Sequence, residues 1–323
     1  MSAEQTSPPI DPAHFAGRQV VVTGGRGFLG RYVCRLLTAS GAVVHALGRQ
    51  DYDLREQADV RRMYAELQPQ TLIHLAAAVG GIGANVANPG RFLYENGLMG
   101  LMLLEEGRQA GLEKVVLIST TCAYPKNAPM PLQEDTIWDG KPVGATGPYG
   151  MAKRLLHEAV VTFGTQYGLK GVVLVPANLY GPEDHFDPEL SHVIPGIIRR
   201  YIEAVETGAE RVLNWGTGTP TREFLHVRDA ARGIVLAAAR HEDAAPVNLG
   251  TGVETPIRHL AEMVAEATGF TGEIAWDVAK PDGQPRRVLD TTRARAFGFE
   301  ATVPLAEGLR ETVAWYRAQT HAR

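Results

Sequence analysis

Tyr149 and Lys153 stand four residues apart in Tyr149-Gly150-Met151-Ala152-Lys153. On a helix that spacing puts the phenol and the ammonium on one face, a turn apart. An ammonium there lowers the phenol's pKa, so the tyrosine can exchange a proton with a carbonyl oxygen while the lysine holds a ribose. The hydroxyl that completes such a set is Thr120, in Ile118-Ser119-Thr120-Thr121-Cys122-Ala123-Tyr124-Pro125. Far upstream, Gly24-Gly25-Arg26-Gly27-Phe28-Leu29-Gly30 spaces its glycines G-x-x-G-x-x-G between an apolar run and a helical pattern. A tight turn at that junction aims backbone N–H groups, at a helix N-terminus, toward a pyrophosphate. Either pattern alone recurs by chance in a chain with 35 glycines. In this order, with the hydroxyl between them, they point to oxidoreductase chemistry on a dinucleotide.

Such residues need a frame that brings them together. The hydrophobic pattern predicts strands at 19–23, 42–47, 71–77, 114–119 and 172–175. Helices begin at 28 and cover 57–67, 92–110 and 149–167 between them. Short apolar strands alternating with helices make a parallel sheet wrapped on both faces. The rhythm breaks after Asn178-Leu179-Tyr180-Gly181-Pro182, where 183–192 reads as a polar loop over a cleft. Residues 222–227 and 247–249 read as later strands and 281–285 as another loop. Residues 1–17, with Pro8, Pro9 and Pro12, read as a disordered tail. The expected fold class is α/β: a Rossmann-type doubly wound parallel sheet over 18–180, to which segments near 222–250 return. Residues 181–323 are expected to form mainly a smaller α/β C-terminal substrate domain.

The end of the second strand discriminates between cofactors. A site for NAD wants an acid there to hold the adenosine ribose hydroxyls, and no acid precedes Asp51. Arg49 stands at the strand end instead, with Arg26 inside the glycine loop. Two guanidiniums grip a 2′-phosphate by charge-assisted hydrogen bonds, so NADP(H) is the expected cofactor.

Composition excludes several other classes. The 323 residues are 45% hydrophobic and 21% charged, and 32 basic against 36 acidic residues leave a net charge of −4 with no block of either sign. The clustered basic excess of a nucleic-acid binder is missing, and no apolar run reaches the roughly 20 residues that span a bilayer. Two cysteines, Cys34 and Cys122, make neither a disulfide framework nor a usual zinc site, so no metal is expected. The acidic, proline-bearing start is unlike a signal peptide, and the expected location is the cytoplasm. Cys34 reads as a buried helix residue, and His74 and His226 as structural histidines inside strands. His157 and His259 fall on helices without partners at metal spacing, and His185 on the cleft loop is a spare acid.

From Tyr149, Lys153 and the glycine loop onward, the chain resembles the extended short-chain dehydrogenase/reductase family of nucleotide-sugar enzymes. Further motifs narrow the resemblance to members that epimerise and reduce a GDP-linked 4-keto sugar. They are Val79-Gly80-Gly81-Ile82, Leu190-Ser191-His192-Val193-Ile194-Pro195, Gly218-Thr219-Pro220-Thr221-Arg222-Glu223-Phe224-Leu225-His226-Val227 and Lys280-Pro281-Asp282-Gly283. Cys122 stands where 4,6-dehydratases would carry acidic residues. A 4-keto sugar has acidified protons at C3 and C5, whose inversion needs a base on one face and an acid on the other. By the resemblance Cys122 is that base and His192 that acid, with Tyr149, Lys153 and Thr120 at the keto oxygen; the family carries serine where Thr120 stands. The resemblance extends the NADP(H) contacts to Asp53, Leu54, Ile118, Ser119, Lys153, Pro176, Asn178, Leu179 and His192. It puts the substrate on Arg200, Trp215, Arg222, Asp282 and Arg287, the last where the family often has lysine. It also implies a homodimer, joined through helices 92–110 and 149–167. Two other readings stay open: an epimerase or reductase for a related GDP-4-keto sugar (dideoxy or heptose), and a non-catalytic NADP-binding sensor.

Overall fold

Alternation along the strands decides the layering of this molecule. The computed structural model describes residues 12–187, 191–280 and 282–320. A short helix, α1 (Pro12–Phe15), precedes β1 (Gln19–Thr23), α2 (Phe28–Ala39), β2 (Val43–Leu47), α3 (Gln57–Leu67), β3 (Thr71–His74), α4 (Ile82–Ala87), α5 (Pro89–Gln109), β4 (Lys114–Ile118), α6 (Gly147–Tyr167) and β5 (Lys170–Pro176). The chain continues through β6 (Asn178–Tyr180), α7 (Val193–Thr207), β7 (Arg211–Trp215), β8 (Thr221–Arg222), β9 (Phe224–His226), α8 (Val227–Arg240) and β10 (Pro246–Leu249). It closes with β11 (Thr255–Pro256), α9 (Ile257–Thr268), β12 (Glu273–Asp277), α10 (Thr292–Ala296) and α11 (Leu305–Thr320).

Six strands form one parallel sheet in the order β10-β5-β4-β3-β1-β2. Successive side chains of a strand point to opposite faces. Val20, Val22, Ile73, Val116 and Leu174 therefore join one buried cluster, with Val33 and Leu37 of α2 and Ile234 of α8. Val21, Leu72, Val115, Leu117 and Val173 join the other, with Val60 of α3, Leu103 of α5 and Leu156 of α6. Each such side chain, fully buried, contributes about 1.5–3 kcal/mol. This is the doubly wound parallel sheet expected from the pattern. A third core, built on Ile194, Ile198, Tyr201, Leu260, Val264 and Leu309, holds α7, α9 and α11 together. Beside it lie three two-stranded sheets, β6-β9 and β7-β12 parallel and β8-β11 antiparallel.

The sheet order reverses at β1, which has β2 on one side and β3 on the other. In such sheets ligands bind outside the carboxyl ends of the strands at this switch point. The glycine loop leaves β1 there. Helix α5 backs the arrangement by approaching α6 closely at Gly100, where an added Cβ would lie 2.3 Å from Leu156 Cδ1.

Three expectations change. Residues 12–17, assigned to the tail, are ordered: Phe15 is 0% exposed and packs in the core with Val33 and Leu37. One buried phenyl ring outweighs the neighbouring prolines; residues 1–11 lie outside the described residues. The strand expected over 71–77 stops at His74, and Leu75–Val79 leaves the sheet to line a cleft. The strand expected over 222–227 is cut at Glu223 and ends at His226, which caps α8 by accepting the Arg228 N–H. Among the described residues no helix is long and apolar enough to cross a membrane.

Candidate active site

The turn after β1 is shaped by atoms that its glycines lack. Gly24 sits at φ +69°, and a Cβ there would fall 2.9 Å from Ala76 N. A Cβ on Gly25 would meet Val22 O at 2.8 Å, and one on Gly30 would meet Gly24 O at 2.1 Å. The turn therefore folds flat against β2 and β3. Gly27 then starts α2 with no side-chain cap, so the first-turn N–H groups of Phe28, Leu29 and Gly30 stay open for an anion. Thr23 steadies the junction, its hydroxyl bonded to His74 Nδ1 at 2.8 Å.

A cleft of about 510 Å³ opens on this turn. Gly24, Gly27, Arg49, Asp53, Leu54, the Leu75–Val79 run, Met99 and His185 line it. Its apolar Leu54, Ala76, Ala78 and Met99 suit a base, and the uncapped helix start suits phosphate, so the cradle fits a dinucleotide. Arg55 grips Asp53 and draws its carboxyl down to about pH 2. Arg49 is on the cleft rim, but Arg26 is not. Its guanidinium bonds the Asp51 carboxylate at 3.0 Å and Ala46 O at 3.2 Å, bordering an adjoining depression of about 370 Å³ with His45 and Arg62, which shares Leu47 and Tyr52 with the cleft. The acid that the sequence set aside thus holds one of the two arginines, and also accepts the Gly48 N–H.

Beyond β4 the chain enters a 3-10 turn, Thr121–Ala123, whose first N–H groups are capped by Thr120 Oγ1 accepting from Cys122 N at 3.1 Å. The turn lies against the start of α6 because residue 150 is glycine: a Cβ there would sit 2.1 Å from Cys122 O. One turn further along α6, Arg154 donates to Ala123 O at 2.6 Å. Gly150 and Arg154 went unnoticed in the sequence, although a glycine inside a helix signals close backbone approach.

Tyr149 and Lys153 share the α6 face. The Lys153 ammonium, 5.8 Å from the Tyr149 ring centre, donates to Ile118 O at 2.8 Å, and burial lowers its pKa to about 8. The expected lowering of the phenol does not occur in this state. Burial, and after it the nearby Cys122 thiol, push the Tyr149 pKa up, so the phenol keeps its proton. Ser119 turns its hydroxyl onto His157 rather than outward, and burial holds that imidazole down to about 3. His192 is the residue before α7; desolvation and the nearby His185 lower its pKa.

The later residues divide. Burial, and after it the charge of Arg287, pulls the Arg222 pKa down. Arg222 is held by Thr221 O at 2.6 Å and Gln284 O at 2.7 Å; Arg287 reaches Thr121 Oγ1 at 3.2 Å, beside Cys122. Asp282 folds its loop back by accepting from Thr217 N and Oγ1, next to Trp215, which is 72% exposed. Arg200 is spent on Gly196 O, Leu213 O and Asn214 Oδ1, stitching α7 to β7. Pro176, Asn178 and Leu179 stand where β5 passes into β6, and the Asn178 amide donates to Glu223 O.

The remaining singled-out residues have structural partners. Cys34 donates to Gly25 O, with its pKa raised to about 11 by burial; Tyr180 packs edge-on against His226, and His259 pairs with Glu262. No group of three potential metal ligands occurs among the described residues.

Comparison with known proteins matches residues 20–250 to the NAD-dependent epimerase/dehydratase family. GDP-L-fucose synthase 1 of Arabidopsis thaliana is 38% identical over 299 residues, covering 92% of this chain and 93% of that one. The crystal structure of a GDP-L-fucose synthetase from Naegleria fowleri bound to NADP superposes with a TM-score of 0.85 at 26% identity, covering 94% of each chain. A GDP-6-OMe-4-keto-L-xylo-heptose reductase from C. jejuni gives a TM-score of 0.86 at 25% identity, covering 94% of this chain and 98% of that one.

Proposed function

The chain belongs to the NAD-dependent epimerase/dehydratase family, and we propose that it converts GDP-4-keto-6-deoxy-D-mannose to GDP-L-fucose, inverting C3 and C5 and reducing C4 with NADPH. One observation carries this reading. The turn Thr121–Ala123 lies against α6 at Gly150, the residue after Tyr149, which puts Cys122 within electrostatic reach of the phenol, while its Thr121 takes a hydrogen bond from Arg287. Reduction alone needs the phenol; epimerisation needs a base as well, and the two belong to adjoining elements.

The 4-keto group acidifies the protons on C3 and C5. Cys122 as thiolate removes each proton, and His192, whose lowered pKa leaves it mostly neutral until it takes a proton from solvent, returns one on the opposite face; the thiol gives its proton to solvent and the imidazole takes up another before the second inversion. Tyr149 and the Thr120 hydroxyl hold the enolate oxygen meanwhile. Bound NADPH supplies the hydride for C4. Tyr149, which burial keeps protonated, gives its proton to the C4 oxygen, so the carbonyl gains one hydride and one proton. Lys153 holds the ribose beside it. Gly24, Gly25, Gly27, Phe28, Leu29, Gly30, Arg49, Asp53, Leu54, Ile118, Ser119, Pro176, Asn178 and Leu179 would hold the dinucleotide. Arg222 and Arg287 take the GDP diphosphate and Trp215 the base, with Asp282 and Arg200 shaping the walls around them.

The test incubates the protein with GDP-4-keto-6-deoxy-D-mannose and either NADPH or NADH, follows cofactor oxidation and identifies the sugar by NMR. GDP-L-fucose with a preference for NADPH is expected. Cys122→Ser and His192→Gln should slow deuterium exchange at C3 and C5, and Tyr149→Phe should chiefly slow reduction, each by about 10²–10⁴-fold. Exchange that survives both of the first two changes removes their roles. A different sugar product would favour a reductase for a related GDP-4-keto sugar, the reading that the resemblance to the heptose reductase supports. Cofactor binding without turnover on any such sugar would mark a sensor.

Leu93 on α5 and Met151, Leu155 and Val161 on α6 are exposed apolar residues, which supports pairing of these helices in a homodimer. The protein is read as cytoplasmic, with 18–180 as its dinucleotide unit and 181–323 mainly as its substrate unit.

A further inference from the structure

Among the described residues lining the 510 Å³ cleft, only His185 comes from beyond residue 99. It is carried there by residues 181–187, and the way that segment is fastened is informative. Glu183 adopts a left-handed backbone, φ +71°, which a side chain rarely tolerates. Its carboxylate accepts from Arg35 Nη2 at 2.6 Å and Arg31 Nη1 at 3.2 Å, and the Tyr32 hydroxyl donates to Pro182 O at 3.1 Å. All three partners belong to α2, the helix that starts on the glycine loop. Arg31 also donates its Nε to Arg26 O, inside that loop, at 3.0 Å. One guanidinium therefore joins the loop to the segment. Asp184, 7% exposed, turns one carboxylate oxygen onto the His185 N–H at 2.7 Å and fixes the direction in which the histidine leaves the backbone.

The charges available in the cleft make this placement useful. Arg55 is taken by Asp53 and Glu95, Arg91 by Glu95, and Arg26 by Asp51 outside the cleft, while Arg49 at the rim is the guanidinium read as holding the 2′-phosphate. The glycine loop offers backbone N–H groups but no cation of its own facing the cleft. We propose that residues 181–187 form a strap that brings His185 to the diphosphate of the bound dinucleotide, with its imidazole N–H as a direct ligand. Arg31 and Glu183 are positioning residues that key the strap to the glycine loop. The inference rests on reading this cleft as the NADPH site.

Binding of NADPH, followed by nicotinamide fluorescence without any sugar substrate, tests it. A parallel titration with GDP reports the sugar-nucleotide side. His185→Ala should weaken NADPH by about tenfold, the loss of one hydrogen bond to a charged group, and His185→Gln, which keeps an N–H donor, should recover most of it. Glu183→Gln, which loses the ion pairs but keeps a side chain of the same size, should weaken NADPH by about threefold. GDP affinity should stay within about twofold throughout. His185→Ala that binds NADPH like wild type overturns the proposal, as does a loss confined to GDP. Weakening by His185→Ala with none by Glu183→Gln overturns the strap's fastening. Wild-type protein that binds no NADPH overturns the reading of the cleft together with the strap.

Discussion

The two sides of the site are built from different materials. On the side of the glycine loop the surface is set by missing atoms, since Cβ atoms at Gly24, Gly25 and Gly30 would collide with the backbone of β1, β2, the segment after β3 or the loop itself. On the side of the later segments it is set by side chains that reach across the sequence: Arg287 to Thr121, Asp282 to Thr217, and Glu223 to Thr251, Gly252 and Leu289. A cradle of absent side chains is local and leaves a contiguous pattern. A wall of reaching side chains leaves scattered single residues that only the fold relates. The first side should therefore fail by collision and the second by loss of a partner.

Glu223→Ala should have the largest effect on stability. It strips an acceptor from three backbone N–H groups, that of Leu289 buried and those of Thr251 and Gly252 part-buried, so a loss of about 3 kcal/mol is expected in chemical denaturation. A loss below 1 kcal/mol would mean that the second side does not depend on this reach. Gly30→Ala should follow, at about 1–3 kcal/mol for overpacking, with NADPH binding lost in the same protein. Gly27→Ala is the milder comparison: the φ is −79°, the nearest atom is Gly24 O at 3.2 Å and alanine is a poorer N-cap than glycine, so a loss of about 0.5–1 kcal/mol is expected. Equal tolerance of both alanines would break the collision account.

Asp184 supplies a pH signature. Burial raises its carboxyl to about 7, so the native protein holds a proton that the unfolded chain releases near 4. Its contribution to stability is full below pH 4 and is lost as pH rises through 7. Asp184→Asn should flatten the fall in melting temperature between pH 4 and 7 and melt above wild type at pH 8. A smaller effect is expected from Asp51→Asn. Releasing Arg26 from an exposed pair worth about 0.2–1 kcal/mol should raise NADPH affinity by up to about fivefold and leave NADH unimproved. Weaker NADPH binding would mean that Asp51 presents Arg26 rather than withholding it.

Sequence patterning reached the parts of the molecule that repeat or stay local. The strand alternation of Val20–Val22, the Tyr149–Lys153 spacing and the glycine loop are legible because three to seven adjacent residues carry each. The cut at Glu223 was not legible, because the groups that pull it out of the strand are at 251–252 and 289. Arg26 looked available because its tie to Asp51 crosses 25 residues. The order at Phe15 depends on a pocket assembled by α2, and the neighbouring prolines spoke louder in the sequence. Arg154 stayed hidden because its target, Ala123 O, is a backbone atom without a residue signature.

The edge position of β10 also bears on how the chain is made. Strand β5 ends at Pro176, and its outer partner β10 begins at Pro246, so sixty-nine residues lie between them. At synthesis rates of about 5–20 residues per second, β5 emerges roughly 4–14 s before the strand that covers it. Through that interval the nascent sheet offers Val172–Val175, buried in the finished protein, along an unpaired parallel edge. The six-stranded sheet thus cannot be completed until the chain has passed well beyond its first five strands. A ribosome stalled, or a gene cut, between residues 176 and 246 releases a sheet with β5 uncovered along its edge.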